Sequence, residues 1–497
     1  MDIKHDKLLH IRLPIEQHII SIQYHPKNNQ LLARVAPTPL VDDGYVASKY
    51  HIYQQDGKLL RAFETTGKLG IARWSNDGKY IAFIGSEDKH DPATGRLFIA
   101  EARNGKITEP VKKYQGHVKG LQWLSEYQLA FLGHVGTKSE VSVLNLDSQS
   151  VTPIISPGNE VLNYLHADLS GKVFVAIGSS DSHPRELMKL SEGKANRLTE
   201  SNPWLDEVKM PIQKTIRYTA RDGVELEGVL IYPANYKEKK RYPLIMMIHG
   251  GPESHISDGW LDRYTYPIKY ATANGFAVFL PNYRGSTGRG VAFSKMGQAD
   301  YAGGEFNDLV DAITHLSKKG VIDKKRVGIT GGSYGGYASA WAATALSEHF
   351  AASVMFVGIS DQISKFGTTD IPNEMHNAHA RYYPWEKWQW MLERSPIYHT
   401  DKAKTPLLIM HGEDDTRVHP SQSMELYRYI KTRTDTPVRL VFYPDEGHGN
   451  KKSAAQLDYS MRLMRWMEFY LKGRNKAKRL PPYEIEHMQR INELNGK

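Results

Sequence analysis

Cysteine is absent from all 497 residues of the sequence. Its absence excludes disulfide bonds, thiolate metal sites and a cysteine nucleophile, and it fits a reducing compartment. The sequence also lacks an apolar run of the roughly 20 residues that span a bilayer, and its polar first residues lack the apolar segment of a signal peptide. We therefore expect a cytoplasmic protein with no membrane partner. If a longer gene supplies a leader upstream of Met1, a periplasmic or secreted protein is expected instead.

Neither sign of charge dominates the sequence, because the net charge of +9 is a small excess of 64 basic over 55 acidic residues. The basic residues are scattered, with short runs at 237–241 and 472–476, and no zinc-finger, helix-turn-helix or RNA-recognition signature accompanies them. We therefore expect no nucleic-acid partner. With 40% apolar residues, the chain has enough material for two or three globular domains.

Residues 1–208 carry a repeat of about 45 residues, each unit made of short alternating strands closed by a turn. The clearest unit begins at 72–84 with A-R-W-S-N-D-G-K-Y-I-A-F-I, and similar openings occur near residues 22, 121 and 165. This period is typical of a β-propeller, of which about four blades fit. Residues 7–13 resemble the last strand of an earlier blade, which favours a truncated propeller over a naturally short one because an unpaired strand leaves an exposed edge.

A second domain is predicted over residues 209–473, where continuous apolar runs alternate with helical stretches. Runs that are apolar on both faces indicate a mostly parallel, doubly wound sheet covered by helices, the α/β class. The last predicted helix spans 454–471, with Leu457, Met461, Met464, Phe469 and Leu471 on or near its apolar stripe. Residues 474–497 form a polar tail without a predicted role in the fold.

Residues 331–337 read G-G-S-Y-G-G-Y and lie between a β-branched run and an alanine-rich, helix-favouring stretch. A strand, a tight glycine turn and a helix are the setting in which G-x-S-x-G exposes a nucleophilic serine. Glycines on both sides let neighbouring backbone pass close to the turn. We predict that Ser333 is the nucleophile; the alternative is a glycine-rich turn with an exposed serine.

An acid and a histidine follow the next predicted strands in the order that α/β-hydrolases use, serine, acid, histidine. His448 lies between two glycines that allow close approach, so we predict that it is the base. His411 is expected to be a structural residue at a strand end. Spacing alone leaves three candidate acids, Glu413, Asp414 and Asp415.

Two backbone N–H groups are needed to hold the oxyanion that forms during acyl transfer. The amide after the nucleophile, that of Tyr334, is the first candidate. The second is expected in the loop after an early strand, where residues 249–252 read H-G-G-P. The alternative for this loop is a glycine turn required only for packing.

Taken together, the motifs of residues 209–473 resemble the catalytic domain of the prolyl oligopeptidase family of serine peptidases, most closely its acylaminoacyl peptidase branch. Residues 411–418 are similar to the family motif H-G-x-x-D-x-[RN]-V, which implies that Asp415 is the triad acid and that Arg417 binds a substrate carbonyl. The H-G-G-P motif of the branch implies that Gly251 donates the second N–H and that His249 lies in the substrate-binding loop. The blade pattern also resembles the family, whose propellers normally have seven or eight blades rather than about four.

The resemblance implies a serine peptidase that cleaves aminoacyl or N-acyl-aminoacyl bonds of short peptides through an acyl-enzyme, without metal or cofactor, with a propeller that restricts access by size. Two alternatives stay open: a carboxylesterase acting on small acyl esters, and an inactive propeller–hydrolase binding protein. The aromatic segment 382–390 fits either an apolar substrate pocket or a buried cluster. No glutamate pair of the kind that dipeptidyl peptidases use to bind a free amino terminus is found in the propeller. Whether the chain forms a homo-oligomer is also left open.

Overall fold

The structure is a computed structural model that describes residues 17–168, 171–473 and 479–481. The described residues up to Gly178, with Arg185–Ser201 and Thr287–Ala292, form a first compact unit. Ser179–Pro184, Asn202–Ser286 and the described residues from Phe293 onward form a second. The strand predicted at 7–13 and most of the predicted tail at 474–497 lie outside the described residues. The domain boundary placed at 208 from the sequence stays a prediction.

The first unit contains four sheets of four antiparallel strands each, in agreement with the prediction of about four propeller-like blades. The first sheet has β1 (His18–Tyr24), β2 (Gln30–Ala36), β3 (Lys49–Gln54) and β4 (Leu59–Ala62). The second has β5 (Leu69–Trp74), β6 (Tyr80–Gly85), β7 (Arg96–Glu101) and β8 (Ile107–Thr108). The third has β9 (His117–Trp123), β10 (Gln128–Val135), β11 (Lys138–Asn145) and β12 (Val151–Ile155). The fourth has β13 (Val161–Ala167), β14 (Phe174–Ser179), β15 (Glu186–Ser191) and β16 (Lys194–Arg197).

The W-S-x-D-G pattern of the repeat has a physical explanation in the turn between β5 and β6. Trp74 is buried in the core of the second sheet. Asp77 accepts hydrogen bonds from the Ser75 hydroxyl at 2.8 Å and from the Lys79 amide at 3.1 Å. Gly78 closes the turn with a φ of +77°, a conformation that glycine adopts without a steric cost. In the second sheet the motif therefore encodes one buried anchor and one turn capped by a side chain.

The second unit is built on one sheet of eight strands with the order β17-β18-β20-β19-β21-β22-β23-β24. The strands are β17 (Gln213–Thr219), β18 (Glu225–Ile231), β19 (Tyr242–Ile248), β20 (Ala277–Asn282), β21 (Ile322–Gly332), β22 (Ala352–Phe356), β23 (Leu407–Gly412) and β24 (Val438–Tyr443). The first two strands pair antiparallel, and all pairs from β20 to β24 are parallel. The predicted α/β class with a mostly parallel sheet is confirmed.

Helices cover both faces of this sheet, because successive side chains of a strand point to opposite sides. In β19, Leu244 and Met246 pack into one core and Ile245 and Met247 into the other. The helices are α1 (Val41–Val46) in the first unit, then α2 (Ile268–Ala273), α3 (Gly290–Ser294), α4 (Gly304–Lys318), α5 (Tyr334–Ala343), α6 (Gln362–Thr368), α7 (Pro372–Glu374), α8 (Trp388–Glu393), α9 (Ser421–Arg433) and α10 (Ser453–Leu471). Residues of α4 and α5 line the first core, and those of α2 and α10 line the second. None of the helices in the described ranges is long and apolar enough to cross a membrane.

The predicted apolar stripe of α10 is partly wrong. Of its five members, Met464 and Leu471 are buried, whereas Leu457, Met461 and Phe469 are only half-buried. The buried stripe of α10 also includes Tyr459, Leu463, Trp466 and Met467. The prediction differs from the structure because polar and amphipathic residues face the sheet. These are Tyr459, Trp466 and Asp458, whose buried carboxylate accepts a hydrogen bond from Tyr443 Oη at 2.9 Å.

Candidate active site

Ser333 lies at the sharp junction between the end of β21 and the start of α5. Its φ of 59° and ψ of −119° are a strained conformation for a residue with a Cβ atom. A Cβ atom on Gly331 would lie 2.5 Å from the carbonyl oxygen of Ile248 in β19, and one on Gly335 would meet the same oxygen. The glycines are therefore required by the close approach of β19, as predicted from G-x-S-x-G.

Asp415 is the buried acid of the three candidates, while Glu413 and Asp414 are exposed. Its Oδ1 accepts hydrogen bonds from the amides of Arg417 at 2.9 Å and Val418 at 3.0 Å. Its Oδ2 lies 2.7 Å from Nδ1 of His448. Burial opposes ionisation of this carboxyl, but the hydrogen bonds and charges of the nearby histidines outweigh burial and hold the pKa of Asp415 well below its usual value.

His448 follows β24, with 28% of its side chain exposed. The loop that carries it is fixed by two hydrogen bonds: the Asp414 amide donates to the Glu446 carbonyl at 2.9 Å, and the Asn450 amide donates to the Tyr264 hydroxyl at 2.9 Å. Because Nδ1 donates to Asp415, Nε2 is the ring nitrogen left for a substrate or a nucleophile. Within the described ranges no hydrogen bond joins the Ser333 hydroxyl to His448. In hydrolases without substrate this bond is frequently long and shortens in the complex.

His411 is fully buried and contacts Asp415 from the other side. Its Nε2 lies 3.1 Å from Asp415 Oδ2 and 2.8 Å from the carbonyl oxygen of Val418, and its Nδ1 lies 2.6 Å from the Ser423 hydroxyl. A carbonyl oxygen only accepts, so Nε2 carries the hydrogen and Nδ1 accepts from Ser423. Both ring nitrogens are thus engaged inside the protein, which makes His411 a positioning residue for Asp415.

The 249–252 loop packs directly against Ser333. A Cβ atom on Gly250 would lie 3.3 Å from the Cβ of Ser333 and 3.0 Å from the carbonyl oxygen of Gly332. Gly251 has a φ of +120°, and a Cβ there would lie 2.5 Å from the amide nitrogen of Glu253. Gly251 is therefore required by its backbone conformation, and Gly250 is tightly packed. A Cβ atom on Gly250 would lie 3.8 Å from the amide nitrogen of Tyr334, the first residue of α5. Tyr334 opens that helix, so its N–H has no acceptor one turn earlier.

The Tyr334 side chain is anchored by a buried carboxyl that the sequence analysis gave no role. Its hydroxyl donates to Oε1 of Glu305 at 2.6 Å, and the Ala302 amide donates to the same oxygen at 2.9 Å. Burial raises the pKa of Glu305 to about 8. Near neutral pH this carboxyl is therefore mostly protonated, next to the side chain of the residue that follows Ser333.

His249 is buried under the loop that it begins. Its ring stacks on Tyr283 with centroids 4.5 Å apart, and its nitrogens lie 2.9 Å from the Gly250 carbonyl and 2.9 Å from the Ser286 hydroxyl. Burial lowers the pKa of His249 to about 4, so the ring is neutral. These contacts shape the loop; direct contact between His249 and substrate stays a prediction.

Arg417 lies between Asp415 and a second carboxylate, Asp370. Its Nε donates to Asp370 Oδ1 at 2.6 Å, and its carbonyl accepts from the Thr369 hydroxyl at 2.7 Å. The Arg417 side chain is 24% exposed and lies at the same strand edge as Asp415. Its predicted role toward a substrate carbonyl is untested by these contacts.

The sequence analysis did not find a cluster formed by Glu253, Glu374 and His379. Each belongs to a different local structure, namely the loop after Pro252, α7 and the π-helical turn Met375–Ala380. Glu374 and His379 are five positions apart, but Glu253 lies more than 100 positions before them, so no local spacing pattern predicts the cluster. The same holds for the buried Lys365 of α6, which neighbours the cluster.

The aromatic segment 382–390 is not a single buried cluster. Trp385 and Trp388 are more than half exposed. Tyr383 stacks between His376 and Trp385, at centroid distances of 3.9 and 4.5 Å. The segment therefore presents aromatic surface to solvent, and a role as a substrate pocket stays a prediction.

A sequence profile described as the prolyl oligopeptidase family matches residues 263–474, which include Ser333, Asp415 and His448. This segment is similar to that family. The resemblance expected from the motifs is thereby confirmed.

Curated proteins and solved structures extend the similarity to more of the chain. Dipeptidyl-peptidase 5 of Porphyromonas gingivalis is 27% identical over 411 residues, which are 80% of this chain and 59% of that protein. The acylamino-acid-releasing enzyme of Sus scrofa is 34% identical over 263 residues, 52% of this chain and 35% of that protein. The structure of Pyrococcus horikoshii acylaminoacyl peptidase superposes with a TM-score of 0.79 at 21% identity, over 96% of this chain and 73% of that one.

These matches agree with a propeller-like domain followed by an α/β-hydrolase domain, the architecture predicted from the sequence. The chain spans less than two thirds of the length of the first curated relatives, 59%, 44% and 60%. The proposed activity therefore depends on the geometry of this chain's own site.

Proposed function

We propose that this chain is a serine peptidase that hydrolyses short peptides by acyl transfer through Ser333. The observation that supports it most is the 2.7 Å hydrogen bond from His448 Nδ1 to the buried Asp415, at the strand edge where Ser333 lies on its strained turn. This arrangement leaves His448 Nε2 for the serine proton. Acids elsewhere in the same loop are exposed and do not contact the histidine.

The proposed reaction has two stages, formation of an acyl-enzyme and its hydrolysis, and His448 carries the proton in both. Ser333 Oγ forms a bond to the carbonyl carbon while His448 takes its proton, and the Gly251 and Tyr334 amides stabilise the oxyanion. The carbon–nitrogen bond then breaks, and the same proton passes from His448 to the leaving amine. Water attacks the acyl-enzyme with His448 as base, and the proton returns to Ser333 as the acid product leaves.

The substrate class is supported by the chemistry of the site and by the names of the relatives. Arg417, next to Asp415, offers donors to a peptide carbonyl beyond the scissile bond. Several relatives are named as dipeptidyl or acylaminoacyl peptidases. We therefore propose peptides cleaved at aminoacyl or N-acyl-aminoacyl bonds. A cytoplasmic location stays a prediction of the cysteine-free composition.

The test compares the wild type with Ser333→Ala on aminoacyl and N-acyl-aminoacyl anilides and on plain acyl esters. Ser333→Ala is expected to lower kcat by about 10⁴- to 10⁶-fold on every cleaved substrate. Ser148→Ala, in the exposed turn between β11 and β12, is the matched control and is expected to match the wild type.

Three results would contradict the proposal. Retained activity in Ser333→Ala excludes this serine as the nucleophile. A far higher kcat/KM on plain esters than on anilides identifies a carboxylesterase instead. Failure of a fluorophosphonate probe to label Ser333 in the wild type favours an inactive binding protein.

A further inference from the structure

Most of the excess positive charge of the chain lies in two short loops of the hydrolase domain. Residues 237–241 read K-E-K-K-R, and residues 318–326 read K-K-G-V-I-D-K-K-R. These fourteen positions hold nine basic and two acidic residues, which is a net charge of +7, and the net charge of the whole chain is +9. The rest of the chain is therefore almost neutral in sum.

The two loops are adjacent because the strands that they lead into, β19 and β21, are paired. Tyr242 at the start of β19 pairs with Ile322 at the start of β21. The Arg241 guanidinium crosses from one loop to the other, where it donates to the carbonyl oxygens of Ser317 at 2.8 Å and Ile322 at 3.3 Å. The two loops therefore form one surface, which we call the basic edge.

The arginines of the basic edge are engaged within the protein, whereas its lysines face solvent. Arg241 binds the neighbouring loop, and Arg326 forms a 2.9 Å ion pair with Asp323. The seven lysines are all exposed, and their ammonium groups form no hydrogen bond or ion pair with the residues that the structure describes. Seven positive charges with one exposed acid among them, Glu238, repel one another. This repulsion is relieved when a partner supplies negative charge.

A structural role explains some of these lysines but not the others. Lys318 and Lys319 end α4, where positive charge offsets the helix dipole. Their charges also lower the pKa of the neighbouring His315, after the larger effect of burial. The turn at 237–241 connects two strands, so no helix dipole explains its lysines. Lys239 has a φ of +64°, a conformation that glycine and asparagine adopt more easily, so a charge is kept there despite backbone strain.

The side chains of the basic edge favour one class of polyanion. Surfaces that bind nucleic acid combine arginine forks with aromatic side chains that stack on bases, and protein interfaces have buried aromatic or arginine anchors. Both arginines are engaged here, and none of the exposed large apolar or aromatic side chains in the described ranges lies at 237–241 or 318–326. Lysine ammonium groups are compact, hydrated charges, and clusters of about four to eight basic residues are attracted to anionic lipid headgroups. The composition therefore fits a lipid surface best.

The basic edge lies at the opposite end of the strands from the candidate active site. It precedes the first residues of β19 and β21, whereas Ser333 follows the last residue of β21. The seven residues of β19 separate the two ends of the sheet by about 20 Å. A bilayer in contact with the basic edge would therefore not contact the strand ends that carry the site.

We propose that the basic edge binds the headgroups of anionic lipids at a membrane surface, by charge attraction and without insertion of apolar side chains. The expectation of no membrane partner rested on the lack of an apolar run, which a contact of this kind does not need. The inference is independent of the proposed peptidase function, because no residue of the basic edge belongs to the site around Ser333.

The test is sedimentation of the full chain with sucrose-loaded vesicles of phosphatidylcholine, either alone or with about 30% phosphatidylserine. The wild type is expected to bind the anionic vesicles at about 0.1 M NaCl, to dissociate at about 0.5 M because salt screens the charges, and not to bind the neutral vesicles. One test variant combines Lys239→Gln, Lys240→Gln, Lys324→Gln and Lys325→Gln. Its affinity for the anionic vesicles is expected to be about 10- to 1,000-fold lower than that of the wild type.

A matched control removes four exposed lysines of the propeller-like domain, namely Lys58, Lys106, Lys189 and Lys194, each replaced by glutamine. It has the same net charge as the test variant, and its affinity for the anionic vesicles should stay within about 3-fold of the wild type. Circular dichroism verifies that both variants are folded.

Other results would overturn the inference. A wild type that binds neither kind of vesicle, or both equally, excludes it without any variant. Equal losses in the test variant and the matched control would assign the binding to net charge rather than to the basic edge. Tighter binding of duplex DNA or of polyglutamate than of the anionic vesicles at the same salt concentration would identify a nucleic acid or an acidic protein as the partner. Fluorophosphonate labelling of Ser333 tests the peptidase function separately, so either proposal can fail without the other.

Discussion

His411 and His448 approach the same oxygen atom of Asp415, Oδ2, at 3.1 and 2.7 Å. The two rings differ in exposure, since His411 is fully buried and His448 is partly open to solvent. His411 also donates to the Val418 carbonyl, and Asp415 accepts from the Val418 amide. His411 therefore holds Asp415 within its loop, whereas His448 keeps Nε2 for the proposed proton transfer.

The first prediction concerns the different roles of His411 and His448. His411→Leu removes one donor from Asp415 without touching the substrate, so kcat should fall by about 10-fold while KM changes little. His411→Gln, which keeps a side-chain N–H donor, should recover part of the loss. Steady-state kinetics on an anilide substrate measure both. A loss in His411→Leu as large as that of His448→Ala would instead identify His411 as the base.

The second prediction tests which acid orients His448. Asp415→Asn replaces the carboxylate that accepts from Nδ1 and should lower kcat by about 10⁴-fold with the fold intact. Glu413→Gln and Asp414→Asn are matched controls on neighbouring exposed positions, and both should stay within about 3-fold of the wild type. If Asp414→Asn loses as much activity as Asp415→Asn, the assignment of the acid is wrong.

The sequence predicts the glycine turn at 331–337 and the order serine, acid, histidine along the chain because these features are local. A β-branched run, a glycine turn and an alanine-rich helix dictate the position of Ser333, and the strand ends dictate those of Asp415 and His448. Spacing could not separate Asp415 from Asp414, because the choice depends on which side chain is buried against the ring. The sequence does not single out Glu305, Glu374 or Lys365 for the same reason. Their contacts and ionisation depend on burial beside residues that are distant in sequence. The predicted apolar face of α10 is partly wrong because Tyr459 and Trp466, rather than aliphatic residues alone, pack against the sheet.

The third prediction concerns Arg417, whose guanidinium pairs with Asp370 and lies near the triad acid. If it binds a substrate carbonyl, Arg417→Met should raise KM by about 10-fold with a smaller change in kcat, because a charge-assisted hydrogen bond to the bound peptide is lost. Arg326→Met, which breaks a 2.9 Å ion pair with Asp323, is the control for loss of a partly exposed pair. A fall in kcat with KM unchanged would place Arg417 in the support of Asp415 instead.

The fourth prediction concerns Glu305, whose pKa burial raises from 4.5 to about 8. Between these values the folded state keeps a proton that the unfolded state has released. The free energy of unfolding should therefore fall as pH rises, by up to about 1.4 kcal/mol per pH unit from this group. Glu305→Gln keeps the acceptor for the Tyr334 hydroxyl and cannot ionise, so its stability relative to the wild type should grow from pH 5 to pH 8. Urea unfolding of both proteins across this range measures the difference, with exposed Glu393→Gln as a control that should follow the wild type. Parallel curves for the wild type and Glu305→Gln would mean that Glu305 is already ionised at pH 5 and that its contact with Tyr334 is a charged one.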